Sequence, residues 1–305
     1  MDAPGTIEEA KAIDAILKHT ATGPGGSLDP AVFLMLLSGI MTETLIEYEE
    51  PDAVMEQSFH RISQLLHVTP VPDNLAKIPL PSPVEIDSYT ECGRDIARES
   101  AERLEGGLED VHEIIIAIAF NELPVLQEEH DFPIPEGLRM MIEAVMTSLI
   151  FEMGTQEFAD LMIEEFIGED WSISDVLLTL GATCGAYYAD KKTESTADEM
   201  VVVMSAEAMR HGMGGSQLWR GLNSANDDGS TGVVRDIDEF REVFEEFFEI
   251  VGLSDPIARA VTVARTGGRM AALVSSEEMG IVQPALAKML LKSGLTQGLN
   301  LSDHD

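Results

Sequence analysis

Residues 28–66 read LDPAVFLMLLSGIMTETLIEYEEPDAVMEQSFHRISQLL, and the fold class follows from this stretch. Asp29 stands before Pro30, pairing a side-chain N-cap with a first-turn proline. From there Phe33, Leu36, Leu37, Ile40, Met41 and Leu45 recur at spacings of three and four, the period that gathers side chains on one face of a helix. The polar hinge EEPDA follows, and a second helical pattern runs from Val54 to Leu66. The stretch therefore specifies two amphipathic helices joined by a short turn.

The same signals recur outward along the chain. Ser82 precedes Pro83 with Glu85 three residues on, Ser195 is followed by Asp198, and Ser254-Asp255 precedes Pro256. Phe240, Val243, Phe244, Phe247, Phe248 and Val251 form another apolar stripe, with Glu239, Glu242, Glu245, Glu246 and Glu249 alongside. Only Ile114 to Ile118 and Val201 to Val203 compete as strands, and both sit inside longer helical patterns, so they read as buried helix. The expected fold class is all-α, an irregular multi-helix bundle.

Helix-hinge-helix pairs are its candidate building unit. Glu136 to Met153 and Glu157 to Ile167 flank GTQ, and Ser174 to Ala189 and Ala197 to Met209 flank DKKTEST. MTETLI at Met41 and MTSLIF at Met146 begin alike, a faint likeness that helix pairs in any bundle produce.

Two segments interrupt the helical pattern. Val68 to Pro83, VTPVPDNLAKIPLPSP, is rich in proline and reads as an extended linker or surface strap. His211 to Val234, HGMGGSQLWRGLNSANDDGSTGVV, reads as a long loop, either partner-binding or disordered. The organisation expected is an N-terminal helical segment 1–67, the strap 68–83, a central bundle 84–210, the loop 211–235 and a C-terminal helical segment 236–305.

The chain carries 55 acidic against 19 basic residues, a net charge of −36, yet 45% of its residues are hydrophobic, so it can bury a core. That charge repels phosphate backbones and anionic headgroups, which excludes ordinary nucleic-acid and membrane-surface binding and leaves cations or basic proteins as partners. Lysine is scarce beside the abundant acid, which a salty cell or plain solubility also explains. Cys92 and Cys184 have no nearby companion, so no disulfide framework or zinc knuckle is expected. The start MDAPGTIEEAKAID lacks the basic-then-apolar pattern of a signal peptide, and the apolar run Ala31 to Met41 falls short of the roughly 20 residues a membrane span needs. The expected location is a reducing cytoplasm, or a virus assembled there.

Catalytic and cofactor signals do not accumulate, and no cofactor or metal is expected. Gly212, Gly214, Gly215 and Gly221 lack Walker or dinucleotide spacing. A loop anchored on Gly229 offers Ser224, Asn226 and Asp228 as calcium ligands but puts Arg235 where the bidentate glutamate belongs. Glu109 and His112 make one Glu-x-x-His unit with no second to complete a di-metal site.

The clearest asymmetry is basic. Between Val251 and Leu295, Arg259, Arg265, Arg269, Lys288 and Lys292 outnumber Asp255, Glu277 and Glu278. These five, with Trp219, Asp227 and Asp228 of the loop, are the interaction candidates. Docking of the basic segment on an acidic surface competes with internal pairing to the chain's own glutamates. On the docking reading, changing the three arginines to glutamate abolishes association and leaves the helices folded. The functional readings are a non-enzymatic assembly subunit or adaptor, self-associating or binding a basic partner; an inhibitor that mimics nucleic acid; and a helical-bundle enzyme with an unrecognised carboxylate site.

Overall fold

Asp29, Ser82 and Asp255 all cap helices in the computed structural model, which describes residues 4–68, 78–166, 171–189, 196–213, 233–276, 279 and 281–301. Asp29 accepts hydrogen bonds from the Ala31 and Val32 amides, and Ser82 with Glu85 closes a reciprocal capping box. Ser195 lies outside the described residues. Eleven helices and no strand occur among the described residues, so the chain is an all-α, multi-helix protein. It divides into two compact units, Met1–Leu149 and Ile150–Asp305. That division falls inside the central segment read from sequence, and neither the proline-rich nor the glycine-rich stretch marks it.

The first unit holds α1 (Pro4–Thr20), α2 (Pro30–Ile46), α3 (Pro51–Leu65), α4 (Pro83–Ala101), α5 (Leu108–His130) and the first part of α6 (Ile134–Leu161). The α2 stripe underestimates burial. Leu34, Met35, Ser38 and Gly39 are as buried as Phe33 and Leu37, so α2 is a central helix enclosed nearly all round rather than an amphipathic one. Its close neighbour is α4. Glycine permits this contact, because a Cβ on Gly39 would stand 2.0 Å from the Thr90 carbonyl oxygen and one on Gly93 would stand 2.1 Å from that of Leu36. Ile114 to Ile118 lie in α5, as the helical reading expects.

The second unit holds the remainder of α6 with a π turn at Met162–Phe166, then α7 (Ile173–Tyr188), α8 (Thr196–Arg210), α9 (Ile237–Ile250), α10 (Pro256–Ser275) and α11 (Pro284–Leu301). GTQ is not a hinge. Gly154 and Thr155 lie within α6, where Gly154 packs against Thr262 and Phe247 and Thr155 is fully buried. The α9 stripe is real: Phe240, Phe244, Phe247 and Phe248 are buried, and Phe158 meets the Phe244 ring at 4.1 Å. Ser172 and Asp175 form a second capping box, at the start of α7.

The described ends of both irregular stretches are tied down. The Ile78 amide donates to the Glu136 carboxylate at 2.6 Å, and Arg139 donates to the Ile78 carbonyl at 2.7 Å. After the glycine-rich stretch, the Val233 amide donates to Asp175 and the Arg235 amide to Thr179 Oγ1.

Candidate functional site

The basic segment is built inward. Arg259 donates through Nη1 to both oxygens of Glu245, at 3.0 and 2.8 Å, and through Nε to the Leu253 carbonyl, with its guanidinium over the Phe248 ring. Arg265 is 1% exposed and bridges two carboxylates, donating through Nε to Glu207 at 3.0 Å and through Nη2 to Glu152 at 2.6 Å. Arg210 adds a contact to Glu207 at 2.7 Å, and His211 one at 3.0 Å. Burial alone would push the Glu207 carboxyl up, but the charges of Arg265 and Arg210 and the His211 hydrogen bond hold it well below its ordinary value of 4.5. Lys288 is buried in α11, where desolvation lowers its ammonium.

These placements correct the docking expectation for Arg265 and Lys288, which are buried. Arg265 and Lys288 have no surface to offer a partner, and Arg259 is already bidentate. Arg269 carries no ion pair among the described residues and is half-buried, as is Lys292. Trp219, Asp227 and Asp228 lie outside the described residues, as does the loop around Gly229. Arg235, set against calcium in the sequence, pairs with Asp175 and lies over the Trp171 ring.

His112 is a buried node of α5. Its Nδ1 stands 2.7 Å from Thr44 Oγ1 and its Nε2 stands 2.9 Å from Ser58 Oγ, while Tyr48 meets the ring edge-on. Both ring nitrogens are thereby engaged by hydroxyls from α2 and α3, and burial lowers the imidazole below its ordinary value of 6.5. Burial likewise raises both thiols, Cys92 and Cys184, away from nucleophilic character. No group of three or more His, Cys, Asp or Glu placed to hold a metal ion occurs among the described residues.

Three hollows are found in the first unit among the described residues, the smallest of about 380 Å³ beside Tyr48 and Glu109, and the two larger ones are mainly apolar. One, of about 760 Å³, lies between α3 and α6 and is lined by Phe59, Leu138 and Ile142 with His60, Ser63 and His67. Its arginine, Arg139, is committed to Glu136, Glu143 and the Ile78 carbonyl. The other, of about 600 Å³, is a valley with α1 and α3 as walls and α5 as floor. Ile7 of α1, Leu65 of α3 and Phe120 of α5 converge on it while 48, 45 and 37% exposed. Three large exposed apolar side chains from three helices thus share one concavity. Ion pairs frame it: Arg61 with Glu113 at 2.8 Å, and Lys18 with Asp14 and Glu122.

From the sequence, Val54 to Leu66, over α3, and Ile114 to Ile118, in α5, read as helix, α1 falls only within a helical N-terminal segment, and the valley is not singled out, since no single segment contains it. Comparison with known proteins adds no relative: no protein-family model, no curated protein and no solved structure matches the chain. No helix among the described residues is long and apolar enough to cross a membrane.

Proposed function

We propose that the chain is a non-enzymatic helical adaptor, working in a reducing cytoplasm, that binds a basic protein partner on its acidic surface. The disposition of charge carries this reading. Within the described residues every arginine except Arg241 and Arg269 is ion-paired to a carboxylate of the chain itself, so most of the positive charge is internally matched and the surplus of 36 carboxylates sets the sign of the field. A surface of one sign attracts the opposite sign from a distance and rejects its own, which steers encounter with a cationic partner.

Size-exclusion chromatography with light scattering at about 0.1 M and about 1 M KCl tests this reading first. The expected result is a monomer at both salts, with basic proteins retained on the immobilised chain at the lower salt and released by the higher. A discrete oligomer that survives the higher salt assigns the chain to assembly through an apolar interface instead. Failure to retain basic proteins at the lower salt removes the reading.

A further inference from the structure

Resting on that reading, we propose that the α1–α3–α5 valley seats an amphipathic helix of the basic partner, apolar face down and lysine or arginine side chains outward. Ile7 of α1, Leu65 of α3 and Phe120 of α5 line it while exposed, and Ala117, one turn before Phe120, adds a small exposed side chain to the same lining. A valley of this form receives side chains at helical spacing from a fourth helix lying along it, the helix-in-groove mode of peptide recognition.

Charge selects the occupant. The first unit carries 28 acidic against 8 basic residues, a net −20, and its described arginines are paired within the chain. A second copy would bring another −36 to this surface, whereas a lysine-rich helix is drawn to it. The lining is nearly neutral, with Lys11 and Arg61 against Asp14, Glu113 and Glu122. Apolar contact therefore sets affinity and register in the valley, and the surrounding acid sets the rate of encounter.

The probe is a fluorescent lysine and leucine peptide of roughly 15 residues with leucines at helical spacing, beside one of the same composition whose order breaks the apolar face. Anisotropy of each is followed against the full chain at about 0.1 M and about 0.5 M KCl. Ala117→Trp fills the floor, and Leu65→Ser with Phe120→Ser strips the apolar contacts. All three positions are exposed, so thermal melting of these variants should match the parent.

The expected result is at least about tenfold tighter binding of the amphipathic peptide, lost in both variants, with new hydrogen-exchange protection in α1, α3 and α5. Equal binding of both peptides, unaffected by the variants, overturns the valley while leaving the basic-partner reading standing. Binding of neither peptide at the lower salt overturns both. A dimer of the parent chain dispersed by Ala117→Trp gives the valley to a second copy and overturns the proposal.

Discussion

Arg265 shows how one residue changes meaning once its neighbours are known. In the sequence it is one of five cations in a basic segment; in the fold it is 1% exposed between Glu152 and Glu207. Removing one partner of such a pair leaves a charge buried without compensation, which costs about 3–5 kcal/mol. Glu207→Gln should therefore lower the urea midpoint of the chain strongly, and Arg265→Glu more so, because it sets three carboxylates together. Changing Arg259, Arg265 and Arg269 jointly to glutamate should abolish helical circular dichroism of the second unit rather than leave it intact.

Protonation reads out the same sites. Glu43, flanked by Arg94 at 2.6 Å and Arg98 at 2.7 Å, would be raised by burial, but the Arg98 hydrogen bond and the Arg94 charge win and hold its carboxyl low. A carboxyl with a depressed folded value stabilises the fold fully above its unfolded value near 4.5 and loses that contribution as pH falls towards the folded value. His112 acts earlier. Its folded value is depressed below 6.5, so the unfolded chain binds the proton first and stability declines as pH falls through that value. Urea midpoints from about pH 8 to about pH 3 should show two declines, and His112→Phe should remove the upper one.

At the scale of elements, α7 and α11 approach as closely as α2 and α4 do. A Cβ on Gly181 would stand 2.2 Å from the Leu291 carbonyl oxygen, and one on Gly294 would stand 2.0 Å from that of Leu178. Gly185 and Gly298 repeat the arrangement one turn along. Both contacted atoms are backbone, so a methyl group can be accommodated only by separating the helices. Gly294→Ala should cost about 1–3 kcal/mol, visible in thermal melting, even though alanine favours an isolated helix by about 1 kcal/mol. The signal lay in LGATCG and SGLTQG, where glycines stand four apart, but glycine in a helix reads locally as a weakness. Only a facing helix turns it into a contact. Caps, by contrast, were legible because Ser82 and Glu85 satisfy each other within a single turn. Ser82→Ala should lose about 1 kcal/mol.

At the scale of the whole molecule, net charge decides behaviour in salt. The first unit stands at −20, and the second, with 27 acidic against 11 basic residues, at −16. Raising KCl from about 0.1 M to about 1 M shortens the screening length from about 10 Å to about 3 Å, which relieves repulsion among exposed carboxylates. Buried pairs such as Arg265 with Glu207 are screened far less. The melting temperature should therefore rise as KCl is raised. A fall would mean that exposed ion pairs, not the acidic surplus, dominate.

What the sequence determined by itself is local: an all-α chain, the capped starts of α2, α4 and α10, the buried face of α9 and the sign of the molecule's field. These depend on residues within a few turns of one another, or on composition, and need no knowledge of what packs where. Tertiary structure alone decided that Arg265 is internal, that glycines join α7 to α11, and that Ile7, Leu65 and Phe120 share one valley. Arg265 finds Glu152 113 residues away, and Leu65 and Phe120 belong to different helices. Periodicity tells which face of a helix is apolar. Whether that face is covered, and by what, depends on distances that only the folded chain brings within reach.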